Sequence, residues 1–352
     1  MTNRIRARGE DVRKYILEHL ESHPIDITKV VAEHFGITRQ AVNKHFQRLK
    51  SENVVVESGQ TRNRTRKLAA LSEWTKSYPL TSNLAEDVVW RDDVSKVIGD
   101  MPDNVLRIWH YGFTEMFNNA IDHSSGKSIG LAIRRNAVDT EMLVSDDGVG
   151  IFKKIQTEFG LLDERHAIFE LAKGKLTTDP KRHSGEGIFF SSRMFDEFDI
   201  LSGAVFFTHK FEDASDWILE RERRTEGGTF VWMKLNNHTS RTTTKIMDQF
   251  SSGDDYGFTK TVVPVDLARY GNENLISRSQ AKRLLARVEL FRKVLFDFKD
   301  VPTIGQAFAD EIFRVFAADH PNIELVPINA NSEVKRMISR ARSAGSNGTE
   351  KN

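Results

Sequence analysis

The 352-residue chain carries 39% hydrophobic and 29% charged residues, proportions expected of a soluble protein of two or three domains. No apolar run approaches the ~18 residues of a membrane span, and the start, MTNRIRARGED, lacks the apolar core of a secretion signal. Cysteine is absent, which excludes disulfides and thiolate metal sites and makes the cytoplasm the expected compartment, with no membrane partner. The net charge of +1 hides an asymmetry, because the first seventy residues hold 14 Lys/Arg against 8 Asp/Glu. A basic segment joined to a mildly acidic remainder points to a local anionic partner.

Three short helical patterns open the chain. Val12, Tyr15, Ile16 and Leu20 make one apolar stripe, and Val30, Val31 and Phe35 make a second that Gly36 ends. Thr38 can cap a third helix with Val42, Phe46 and Leu49 inward and Arg39, Gln40, Asn43, Lys44 and Arg48 on the opposite side. Val54–Val56, a turn at Ser58-Gly59 and the basic run TRNRTRK then read as a hairpin. The stretch VVAEHFGITRQAVNKHFQRLKSENVV resembles bacterial winged helix-turn-helix regulators, and residues 8–72 are assigned to such a domain. The resemblance implies double-stranded DNA as partner. The third helix would enter the major groove, where Asn43 and Gln40 suit adenine and Arg39 suits guanine, while Arg62, Arg64 and Arg66 meet phosphates. A small helical protein-binding domain with a solvated charged face is the plain alternative.

Residues 71–104 read as a connector. From Val105 a broad apolar face (Leu106, Trp109, Phe113, Met116, Phe117, Ala120) is matched by a polar stripe of Glu115, Asn119 and His123 at spacings of four. Three further patterns follow in order: SDDGVGI from Ser145, after a strand-like EMLV; SGEGIFFSSRMFD from Ser184; and EGGTFVWMKL from Glu226. With FTEMFNNAIDHS, this ordered set resembles the GHKL superfamily of gyrase, heat-shock-chaperone and histidine-kinase ATP-binding domains, over residues 80–236.

That resemblance implies a Bergerat-type α/β sandwich binding ATP and Mg²⁺. In it Asn119 would hold the metal, Glu115 would orient or deprotonate an attacking water, and Asp146, supported by Thr229, would accept from the adenine amine. Gly148 and Gly150 would let the backbone approach the nucleotide, and Gly185 and Gly187 would open a phosphate-binding helix. The segment between Phe152 and Ser184, with Lys173, Lys175, Lys181 and Arg182, would be a mobile lid whose cations reach the triphosphate. An ordinary charged surface loop is the plain reading of those lysines. A two-component histidine kinase is disfavoured, because no phosphoacceptor hairpin precedes the ATP-binding boxes. Slow ATP hydrolysis, anti-sigma-type serine/threonine kinase activity and simple nucleotide sensing all remain open.

A polar linker, NNHTSRTTTKIMDQFSSGDDYG, leads to alternating strands and helices, VVPVDL, SRSQAKRLLARVE, KVLFDF, GQAFADEIFRVFAAD, IELVPI and SEVKRMISRAR, the pattern of a small α/β domain over residues 258–342. The run LISRSQAKRLLARVELFRKVLFDFKDVPTIGQAFADEIFRVF resembles the STAS-like domains that bacteria append to such ATP-binding modules. STAS antagonists carry a phosphorylatable Ser or Thr after the strand equivalent to VLFDF. Gly305, Gln306 and Ala307 stand there, with Thr303 the nearest hydroxyl, which implies a lost phospho-switch and a docking or dimerisation role. Gln306 and Asp310 as ordinary helix-start residues is the alternative. Residues 343–352 read as a disordered tail. The expected whole is a multidomain chain of mainly α winged helix, GHKL α/β sandwich and STAS-like α/β domain, a regulator whose nucleotide state governs DNA binding. A homodimer would suit paired half-sites, and a protein partner would suit the STAS-like part.

Overall fold

A computed structural model describes residues 2–59, 64–176, 185–211, 215–220, 227–252, 255–269 and 273–346. The chain begins with α1 (Thr2–His19), α2 (Ile27–Phe35) and α3 (Arg39–Ser51), followed by β1 (Val55–Ser58) paired antiparallel with β2 (Thr65–Leu68). The expected stripes meet in one core of Val12, Ile16, Leu20, Val31, Val42, Phe46 and Leu49, which Ile27, Val55 and Leu68 complete. Thr38 caps α3, its Oγ1 accepting from the Ala41 N–H at 3.2 Å.

A seven-stranded sheet forms the centre: β3 (Ser72–Pro79), β4 (Ser128–Arg135), β5 (Asp139–Asp146), β6 (Glu197–Ser202), β7 (Val205–Lys210), β8 (Ser215–Glu220) and β9 (Thr229–Asn236). Its order is β3-β4-β5-β9-β6-β7-β8, and every neighbouring pair is antiparallel. The segment 71–104 is therefore more than a connector. Ser72–Pro79 pairs along β4, and α4 (Glu86–Val89), a π-helical turn (Trp90–Val94) and α5 (Ser95–Ile98) bury Val89, Val94 and Ile98 in the central core. Ser72–Pro79 buries only Tyr78, so it has no alternating apolar pattern by which a strand is recognised.

The central helices are α6 (Asp103–His123), α7 (Ile151–Glu158), α8 (Glu164–Lys173), α9 (Gly187–Met194) and α10 (Thr243–Asp248). α6 buries Val105, Trp109, Phe113, Met116, Phe117 and Ala120, with the Trp109 ring 4.8 Å from that of Phe195. The described part of the segment expected as a polar lid, up to residue 176, is instead largely helical, and α8 is buried from His166 to Lys173. The C-terminal unit covers it.

That unit follows β10 (Ser251–Ser252) and β11 (Asp255–Phe258), an antiparallel pair within the stretch expected as a linker. Phe250 and Phe258 anchor it, their rings 4.9 and 4.5 Å from Phe189 of α9. Three parallel strands come next, β12 (Lys260–Pro264), β13 (Lys293–Asp297) and β14 (Glu324–Ile328). They alternate with α11 (Arg278–Leu285), α12 (Gln306–Asp310), a π-helical turn (Glu311–Phe316), α13 (Ala317–Asp319) and α14 (Ser332–Ser346), in the expected order. A capping box between Ser277 and Gln280 starts α11. Residues 343–346, expected in a disordered tail, form the last turn of α14, and 347–352 lie outside the described residues. Among the described residues no helix is long and apolar enough to cross a membrane.

Candidate functional site

The polar stripe of α6 faces a cavity of about 270 Å³, near the lower end of the ~300–1,000 Å³ usual for small-molecule sites. Six of the expected site residues line it: Glu115, Asn119, Asp146, Gly185, Gly187 and Thr229. They come from four elements far apart in sequence. α6 brings Glu115 and Asn119 one turn apart, β5 and β9 end side by side at Asp146 and Thr229, and the start of α9 closes the opposite side. Val144 and Val231, two residues inward on the same face, supply an apolar floor, with Ile151 and Ile155 of α7 beside it.

Gly148 and Gly150 do not line the cavity; they shape the loop under it. Gly148 donates its N–H to Asp146 Oδ1 at 2.9 Å and accepts from the Gly228 N–H at 2.7 Å. A Cβ on Gly148 would run into the Ser124 carbonyl at the end of α6, so only glycine lets this loop lie against the helix. Gly150 precedes α7. At Gly187 a Cβ would strike the Glu115 carboxylate, which therefore rests directly on the first turn of α9.

Two neighbouring carboxylates differ sharply. Burial raises Asp146 above the ordinary carboxyl range, against hydrogen bonds from Gly148 and Thr229. Asp147 is exposed, and N–H groups of Ser128 and Lys127 at 2.9 and 2.6 Å hold it below that range. Asp146 is thus the half-buried acceptor in an apolar recess, and Asp147 staples the loop to β4. Thr229 Oγ1 accepts from the Ile151 N–H at 3.1 Å, tying β9 to the start of α7. Burial, then the Glu115 and Glu186 carboxylates, push the Tyr111 phenol upward, so it stays a proton donor beside Glu115.

Lys154 and His123 are the cationic or titratable nitrogen-bearing side chains of the lining, and Lys154 Nζ donates to the His123 carbonyl at 2.8 Å. Lys154 sits in an ordinary amphipathic helix pattern and carries no motif. Lys173 and Lys175, expected to reach a triphosphate, turn the other way. Lys173 Nζ donates to Glu170 Oε1 at 2.8 Å and to the Ala286 carbonyl at 2.5 Å, and Lys175 Nζ donates to the Leu290 carbonyl at 3.0 Å. Burial lowers Lys173, opposed by Glu170. Lys181 and Arg182 lie outside the described residues.

On α3, Arg39, Gln40, Asn43, Lys44 and Arg48 all lie on the exposed side, Arg48 paired with Glu52 at 2.8 Å. Arg64 in the hairpin is exposed too, whereas Arg62 lies outside the described residues. Arg66, expected to meet phosphate, is buried instead. Its guanidinium donates to Glu57 at 2.7 Å and Thr28 at 2.5 Å and stacks over Phe46 at 4.0 Å. Alternation along β2 places Arg66 and Leu68 inward and Lys67 outward, while the exposed Arg64 precedes the strand, a distinction hidden in a run of basic residues.

One acidic cluster among the described residues, Glu21, Asp139 and Glu141, has the spacing of a metal site, but a lysine fills it. Lys234 Nζ lies 2.8, 3.4 and 3.9 Å from the three carboxylates. Burial opposes the charge of Lys234, and the carboxylates outweigh it and hold the ammonium above its ordinary value. The cluster ties the loop after α1 to the central sheet.

A family model described as a STAS-like domain of unknown function (DUF4325) matches residues 280–335. That stretch, α11 to the start of α14, is a STAS-like domain. No curated protein matches the chain. Within the domain, Gly305 donates its N–H to the Leu275 carbonyl at 2.7 Å before α12, Gln306 and Thr303 are exposed, and Asp310 pairs with Arg314 at 3.3 Å.

Proposed function

We propose that the central sheet and its helices form a GHKL-type ATP-binding domain, residues 80–236 together with the β3 strand before them, and that the chain is a regulator in which nucleotide governs DNA binding. The observation that carries this reading is the meeting of Glu115, Asn119, Asp146, Gly187 and Thr229, from four separate sequence patterns, around one cavity. The donor set fits the nucleotide. A half-buried carboxylate beside an apolar floor suits an adenine amine, and an amide with a carboxylate one turn away suits a metal-phosphate group. Asn119 would hold Mg²⁺, which supplies charge neutralisation for phosphates. Glu115 would take a proton from a nucleophile, and the first turn of α9 offers free N–H groups to an anion.

Helices α1–α3 with the β1–β2 hairpin support a winged helix-turn-helix. In this reading α3 presents Arg39, Gln40, Asn43 and Lys44 to base edges, while Arg48 and Arg64 meet phosphates of double-stranded DNA. The STAS-like domain is a docking element, for a protein partner or a second copy of the chain.

Glu115 favours a second reading, since it lines the cavity beside Asn119 in the place of a general base. The chain would then hydrolyse ATP or transfer its phosphoryl group to a protein hydroxyl. Incubation with γ-labelled ATP separates free phosphate from labelled protein, and a Glu115→Ala variant with both signals intact overturns the enzymatic reading. Filter binding on duplexes selected from a random-sequence library, with and without Mg-ATP, tests the regulator. Equal DNA affinity in both conditions overturns it.

A further inference from the structure

One wall of the cavity is also the seat of the C-terminal unit. Leu171 and Leu176 line the cavity, and the five-residue step between them is gripped from outside. Thr261 Oγ1 of β12 donates to the Lys173 carbonyl at 2.7 Å, and Arg287 Nη2 donates to the Lys175 carbonyl at 2.6 Å. Lys173 and Lys175 return the contact to the Ala286 and Leu290 carbonyls. Arg287 Nε lies 3.3 Å from Glu170 Oε2, and its guanidinium lies 5.0 Å from the Phe159 ring centre, another cavity residue. Arg287 adopts φ 62, uncommon for a residue with a long side chain, and these contacts hold it there.

Lys173 is 1% exposed and Glu170 4%. An ion pair so deep returns little net stability, because desolvating two charges offsets their attraction. What it enforces is one arrangement. If the STAS-like domain leaves, Glu170 loses Arg287 and Lys173 loses the Ala286 carbonyl, so residues 170–176 must rearrange, and Leu171 and Leu176 with them. A second route runs through α9, where Gly187 and Ile188 line the cavity while Phe189 packs on Phe258.

We propose that docking of the STAS-like domain on residues 170–176 and nucleotide binding in the adjoining cavity are coupled. The docked domain holds Leu171 and Leu176 in the nucleotide-binding position, and bound nucleotide tightens docking by the same factor, as linkage requires. A partner that takes hold of Arg287 or the Ala286–Leu290 loop would thereby release nucleotide. This rests on the ATP reading above.

The test uses the full chain, titrated with Mg-ATP by calorimetry and followed by amide hydrogen exchange. Arg287→Ala should weaken Mg-ATP binding about tenfold, within the usual range of coupling. Thr261→Val, which keeps shape and removes the donated hydrogen bond, should weaken it severalfold, and Thr261→Ser should match wild type and serve as the folding control. In wild type, Mg-ATP should slow exchange at residues 260–264 and 286–291. Wild-type affinity in both Arg287→Ala and Thr261→Val, with exchange there unchanged by ATP, overturns the coupling alone. A wild type that binds no nucleotide overturns the ATP reading and the coupling together.

Discussion

Asp146 and Thr229 stand opposite one another at the adjoining ends of β5 and β9, and Thr229 opposes the rise that burial causes in the Asp146 carboxyl. The threonine Oγ1 accepts from the Ile151 N–H. Two strands and the start of α7 are thus fixed around one half-buried carboxylate, the arrangement on which the adenine assignment depends.

Asp146 carries a cost that its replacement should reveal. Its folded carboxyl titrates above the ordinary 3.8. A raised value favours the folded state below the unfolded pKa, and that advantage is lost as pH rises through the folded value. Asp146→Asn should therefore be at least as stable as wild type at neutral pH, with a flatter stability profile from about pH 4 upward. Urea melts across that range check this; a variant with the same pH slope as wild type would contradict it.

Gly187→Ala introduces a methyl group where the Glu115 carboxylate lies. The expected outcome is a folded protein destabilised by about 1–3 kcal/mol that has also lost most nucleotide affinity or turnover, because Glu115 and the start of α9 must part. Thermal melts paired with calorimetry read both effects.

Arg66 and Arg64 should separate stability from DNA binding. Burial alone would raise Glu57, but hydrogen bonds from Lys50 and Arg66 hold it below its ordinary value. The pair's contribution is therefore present above the unfolded carboxyl value and lost as pH falls through the folded one. Arg66→Ala should cost about 2–4 kcal/mol, as breaking a largely buried pair does. Arg64→Ala should leave the melting temperature unchanged and reduce the slope of log affinity against log salt by about 1.

Lys234→Met should leave Asp139 and Glu141 facing each other without their cation and cost about 3 kcal/mol at neutral pH. Because Lys234 is held above its ordinary 10.5, its contribution is full below that pH and fades only as pH rises through the folded value. Glu21→Gln removes an exposed partner and should cost about 1 kcal/mol or less. Urea melts at pH 7 and above pH 10.5 compare the two variants.

The sequence exposed those parts of the molecule that repeat a pattern. The α6 stripe of Glu115, Asn119 and His123 follows from spacing of four, and the strand–helix alternation after residue 258 is likewise open to direct reading. The inward turn of Arg66 was hidden, because Arg62, Arg64 and Arg66 recur at every second position and only the start of β2 at Thr65 separates Arg66 from Arg64. The fate of Lys173 was hidden for another reason. Its partner Ala286 lies 113 residues away, and no local period announces a contact between units. For the same reason the role of Asp147, which accepts from the Lys127 and Ser128 N–H groups, was not legible, although the motif already singled out Asp146.

The most direct measurement is calorimetric titration of the full chain with ATP in Mg²⁺, set beside Asp146→Asn. The expected result is one-site saturable binding by wild type that vanishes in the variant while its fold, by circular dichroism, persists. No heat of binding in wild type, or equal affinity in Asp146→Asn, would contradict the assignment of this cavity to ATP.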